Sequence, residues 1–185
     1  MILVSSAVLT LSACHKAATT DVATTNSTVA ATTVKNTSAP AAPVSAGQAF
    51  ANTAAASDAF EVETSKLALT NTATPSIKSY AQKMIGAHTD STAKLKAAAA
   101  SAAPAITPDA TLTADQQQKL VALSALTGKA FDQAYVADQT AGHQQTLDAL
   151  RTYSASGDVP QLKAFATTLV PIVTAHLNMA KGLKA

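Results

Sequence analysis

The chain has 185 residues, enough for one domain of ordinary size with an appendage. Alanine fills 44 positions and threonine 26, so the 48% apolar content overstates the supply of large core side chains, and aromatic residues make up only 4%. A net charge of +2 gives no electrostatic basis for nucleic-acid binding, and a single cysteine excludes an intramolecular disulfide and any cysteine-built zinc or iron–sulfur site.

Residues 1–13 hold an uncharged apolar run from Ile2 to Leu11. The run is too short for a bilayer core, which takes about 20 residues, and has the length of a signal-peptide hydrophobic region. No basic residue precedes it, so the written start is expected to fall inside a longer signal peptide. Leu11-Ser12-Ala13-Cys14 resembles the lipobox of bacterial lipoproteins, which implies lipidation of Cys14 and a membrane anchor through the acyl chains. In that class an aspartate after the cysteine signals inner-membrane retention. His15 stands there instead, which implies the outer membrane, with the domain facing the periplasm. Residues 14–45 then carry threonine, alanine and serine with Pro40 and Pro43, and no aromatic, leucine or isoleucine. Such a segment cannot bury enough apolar surface to offset its ordering entropy, so a disordered tether is predicted.

The remaining residues, 46–185, show helical periodicity. A first helix is predicted over about 46–72, with Phe50, Ser57, Phe60, Thr64 and Leu67 on one stripe. Pro75 opens a second, with Ile77, Ala81, Met84, His88 and Leu95 on one face, ending near Pro104. Residues 103–112, with two prolines, form the longest internal loop. Thr113 and Gln116 have the spacing of a capping box, which predicts a third helix reaching about Tyr153. Asp158 and Pro160 start a fourth, with Leu162, Phe165, Leu169, Ile172, His176 and Leu183 on one stripe and a kink at Pro171. Four such helices specify an all-α four-helix bundle. The long connection between the second and third leaves two topologies open, a ferritin-like crossover and a simple up-down-up-down order.

Phe60–Ala68, Ile77–His88, Phe131–Tyr135 with His143, and Leu162–Phe165 with Leu169–Pro171 and His176 resemble the domain of unknown function 4142 family. The resemblance spans about 48–183, in order and with matching spacing. It implies a ferritin-like helical fold and an exported, bacterial, outer-membrane setting, with no established activity. One departure is visible. The family often carries an acidic residue before the histidines of helices 2 and 3, where this chain has Ala87 and Gly142.

Glu61 and Glu63 are the only glutamates. A ferritin-type di-iron site takes a glutamate from each of two helices and Glu-x-x-His from the other two. Ile85, Thr140 and Val173 stand three before the histidines, so that site cannot be assembled. A mononuclear transition-metal site remains chemically open, because imidazole suits zinc, copper and iron. Its first-choice ligands are Glu61, His88 and His176, with Glu63, Asp138 and His143 as further candidates. Taking the second interhelix turn at residue 156, His143 and His176 should differ by about 10 Å in height, at 1.5 Å per residue. The competing reading makes the histidines hydrogen-bonded core residues with no metal or other cofactor, paired with Glu61 or Glu63. The chain contains neither a nucleophile elbow nor a glycine-rich phosphate loop. Two function classes follow. One is a non-enzymatic, stress-related envelope module that contacts another envelope protein or a second copy of itself; the other is a metal-binding or redox bundle.

Overall fold

A computed structural model describes residues 44–185, and the signal peptide, Cys14 and nearly all of the tether lie outside the described residues. Five helices follow: α1 (Ala46–Asn71), α2 (Pro75–Ala100), α3 (Ala114–Ser124), α4 (Gly128–Ser156) and α5 (Pro160–Gly182). Local chemistry accounts for most of their ends. The Ser45 hydroxyl accepts from the Gln48 amide at 3.1 Å and caps α1. Pro75 and Pro160 occupy first turns, where their missing amide hydrogen costs nothing. Thr113 and Gln116 form the expected capping box, each side chain answering the other's backbone amide. α5 runs unbroken through Pro171.

The single helix expected over 113–153 is two. After Ser124 the chain tightens, with Ala125 and Leu126 donating to carbonyls three residues back. It restarts at Gly128, whose φ of +58° is a conformation that a Cβ would penalise by about 1–2 kcal/mol.

Two apolar clusters reveal the topology. One joins the N-terminal half of α1 to the C-terminal halves of α2 and α4 and to most of α5, through Ala51, Leu95, Leu150 and Leu162. The other joins the C-terminal end of α1, the N-terminal parts of α2 and α4 and the end of α5, through Ala68, Ile77, Phe131 and Ala180. Helices α2 and α4 therefore run in the same direction, and the segment between them travels the length of the bundle. This settles the open topology in favour of the crossover. The crossing segment is fixed along α1: Gln48 donates to the Thr107 carbonyl, Gln116 to the Ala56 carbonyl and Asn71 to the Leu126 carbonyl. Within the bundle, α1 packs chiefly on α2 and α4 chiefly on α5, so the core consists of two hairpins docked face to face.

Between the apolar clusters lies a buried polar layer: Asp58, Glu61, Thr64, Ser65, His88, Ser91, Gln139, His143 and His176. Phe165→Ala, which empties volume in the larger cluster, should lower unfolding free energy by about 3–5 kcal/mol in denaturant titrations. Gly128→Ala should cost about 1–2 kcal/mol in the same experiment, through backbone strain alone.

Candidate metal centre

Helices α2, α4 and α5 each bring one histidine to the polar layer, and the three rings form a near-equilateral triangle. Centroid separations are 5.5 Å for His88–His143, 5.6 Å for His88–His176 and 5.5 Å for His143–His176. One ring nitrogen from each can be chosen so that the three atoms lie within 4.8 Å of one another. All three side chains are buried.

The outer nitrogens fix the rings. His88 Nδ1 is 2.8 Å from Asp58 Oδ1, a buried pair in which the imidazole donates to the carboxylate. His143 Nδ1 is 2.8 Å from the backbone carbonyl of Gln139. A carbonyl only accepts, so Nδ1 carries the proton and a neutral His143 keeps its lone pair on Nε2. The nitrogens left over, His88 Nε2, His143 Nε2 and His176 Nδ1, are buried without a hydrogen-bond partner. Imidazoles oriented from behind by a carboxylate or a carbonyl, with the opposite nitrogen free, are the arrangement found around bound metal ions.

The other sequence candidates fall elsewhere. Glu61 is buried behind His143, with Oε1 3.7 Å from Nδ1 and Oε2 without a partner. Gly142 gives it room, since a Cβ there would stand 3.3 Å from Glu61 Oε1. Glu63 is exposed and pairs with Lys66 at 2.8 Å. Asp138 lines a 320 Å³ pocket between α1, α3 and α4, together with Lys119 and Asp115, and is not part of the triangle. No carboxylate joins the three histidines, so the residues present do not fit a di-iron carboxylate centre.

The expected 10 Å offset between His143 and His176 is also corrected. Helix α4 continues to Ser156 and α5 begins at Pro160, which centres the turn near residue 158 and leaves the two histidines 15 and 18 residues from it. Cα–Cβ bonds tilt toward each helix's N-terminus, which in an antiparallel pair brings these two rings together. Asp58 and Gln139 were missed by sequence reasoning. A signal existed for Asp58, which stands three before Glu61 and seven before Ser65 and so shares a helix face with both.

Burial and mutual charge set the protonation. Burial pushes Glu61 up to about 7, against the pull of His88. It pushes His143 down to about 3 and His176 down to about 4, and the charge of His88 adds to both. For His88 burial also acts downward, but the Asp58 hydrogen bond and the Glu61 and Asp58 charges leave it above the ordinary imidazole value. Two of the three imidazoles are therefore neutral and able to donate a lone pair at any physiological pH.

The chain is thus a crossover helical bundle with a three-histidine centre in its core. The family described as Domain of unknown function (DUF4142) matches residues 32–183, and the chain belongs to it. No curated protein and no solved structure matches the chain.

The protonation pattern has a measurable consequence in metal-free protein. Unfolded histidines take up protons near pH 6.5, whereas folded His143 and His176 do so only near 3 and 4. The unfolded state therefore binds more protons in that window, and stability falls as the pH falls. Glu61 acts oppositely: its contribution is complete below about 4.5 and is lost as pH rises through 7. His88, raised in the folded state, acts in the same direction as Glu61. The net acid loss should be steepest near pH 4–4.5, where Glu61 no longer offsets it and folded His176 has not yet taken up its proton. His143→Gln should reduce the slope of unfolding free energy against pH there by about 1.4 kcal/mol per pH unit, read from denaturant titrations at a series of pH values.

Proposed function

We propose that this protein is a cell-envelope lipoprotein whose bundle holds one divalent transition-metal ion on His88, His143 and His176. The observation that carries the metal reading is the cluster of three buried histidines, each with a buried ring nitrogen that has no partner and each offering one nitrogen within 4.8 Å of the others. Buried polar atoms without partners are few in folded proteins, and a single ion would satisfy all three here. Nitrogen ligands about 2.0–2.1 Å from a tetrahedral zinc ion lie about 3.3–3.4 Å apart. The nitrogens, within 4.8 Å, need to close by up to about 1.5 Å, which side-chain rotations can supply. Charge is compatible with a divalent ion: once the ion displaces any proton from His88 the three imidazoles carry none, and the Asp58 carboxylate behind His88 offers a compensating negative charge. Zinc fits best, since it takes nitrogen ligands and imposes no d-electron geometry.

The envelope reading rests on Leu11–Cys14 and on the compositional tether, and no helix among the described residues is long and apolar enough to cross a membrane. Mass spectrometry of the mature native protein should find an acylated N-terminal Cys14, and Cys14→Ser should release the protein from the membrane fraction. An unmodified mature protein beginning elsewhere would refute that half.

For the metal half, the native protein should contain one equivalent of zinc after desalting, measured by elemental analysis. Added zinc should raise the melting temperature of the stripped protein, because a ligand stabilises the state it binds by about 4 kcal/mol at a thousandfold excess over Kd. His88→Gln, His143→Gln and His176→Gln should each abolish the shift. Asp58→Asn should retain zinc with affinity weakened about 10–100-fold, as expected for loss of an orienting partner.

A further inference from the structure

The protein supplies three nitrogens, whereas zinc and ions like it take four ligands. Structural zinc sites fill the fourth position from the protein, and catalytic ones leave it to water or substrate. Two carboxylates lie near the histidines, and both face their outer edges. Asp58 Oδ1 is held by His88 Nδ1, and Thr92 donates to Oδ2 at 3.3 Å. Glu61 lies nearest to His143 Nδ1, the nitrogen turned toward the Gln139 carbonyl and away from the triangle. Neither is a fourth ligand as placed.

There is space for a different one. A cavity of about 30 Å³ is lined by His88 and His176 together with Asp58 and Ser91, and closed by apolar side chains that include Phe165 and Leu169. A single water needs about 10–15 Å³ of such volume, so the cavity accommodates one or two small molecules of that size and excludes larger organic ligands. Its walls come from all four long helices, and His88 and His176 line it whereas His143 does not.

We propose that the ion held by His88, His143 and His176 keeps an exchangeable fourth position, filled from this cavity by water or by a small anion of up to about three heavy atoms. The inference rests on the metal reading above and adds to it that the centre is open and not a closed structural site. Its chemical class is thereby fixed: only compact inorganic ligands reach the ion, with Ser91 and Asp58 as the polar neighbours they meet.

Cobalt(II) provides the test, since it replaces zinc in nitrogen sites and its visible bands report coordination. The full-length protein is stripped, loaded with cobalt and desalted, and its cobalt content is measured before any ligand is added. Azide is then titrated in. A saturable change in the cobalt bands is expected, with no loss of bound metal. Ala54→Leu and Ser91→Leu, which extend side chains into the cavity from different helices, should each retain one cobalt per chain and weaken azide at least about tenfold. Retention of the metal in either variant is sufficient to read the effect. Glu61→Gln should leave the cobalt bands and the azide response unchanged. Failure to retain cobalt in the unaltered protein would refute the metal reading itself. Tight cobalt binding with bands that azide does not move, or bands that collapse in Glu61→Gln, would leave that reading standing and overturn the open position. An azide response in both cavity variants equal to that of the unaltered protein would overturn the cavity as its source.

Discussion

Burying an imidazole in an apolar core is tolerable only if its ring nitrogens find partners, and that requirement governs the middle of this bundle. The Asp58–His88 pair is its clearest expression. A carboxylate on α1 and an imidazole on α2 meet at 2.8 Å with both side chains almost wholly out of water. Burying either group alone would cost several kcal/mol. Together they also fix the ring so that Nε2 points inward, and the Gln139 carbonyl does the same for His143. Two of the three rings are thus oriented by hydrogen bonds to groups outside the triangle.

The same layer divides the core. Apolar side chains pack above and below it, and the tyrosines at its lower edge join it through their hydroxyls: Tyr80 donates to Gln139 Oε1, and Tyr135 pairs with Ser65. Burial holds the Tyr80 and Tyr135 hydroxyls well above their usual range, so both stay protonated and keep these bonds. An apolar stripe on a helix permits slippage by a turn with modest loss. A layer of matched donors and acceptors does not, because a shift of about 5.4 Å would unpair all of them at once. The polar layer therefore sets the axial register that alanine-rich faces specify poorly.

What was legible in the sequence was local. Caps and breakers at Ser45, Pro75, Thr113 with Gln116, and Pro160 act within one helical turn, and each ends or starts a helix where its chemistry says it should. The stripe Ile77, Ala81, Met84, His88 and Leu95 is buried throughout. The break at 125–127 was not legible, because Ala125 and Leu126 are good helix formers and only Gly128 marks the restart. The centre was half legible. Histidines on apolar stripes announced a buried polar site, and the scarcity of glutamate excluded the di-iron alternative. Heights across a turn were not legible, because a shift of two residues in the turn moves two antiparallel side chains in opposite senses. That error separated His143 from the group in which it sits. Asp58 was not legible because the only two glutamates stand three and five residues further along the same helix and are equally plausible acid partners for a histidine.

The crossover has a consequence for how the chain assembles. Each hairpin closes through contacts local in sequence, α1 with α2 and α4 with α5, and can form early and independently. Docking them needs the long segment between α2 and α4 to lie down along α1, which closes the largest loop in the fold. His143 and His176 come from one hairpin, whereas His88 and Asp58 come from the other. A chain halted before docking presents two imidazoles at most, and two give a far weaker chelate than three. The completed triangle therefore exists only in the docked bundle.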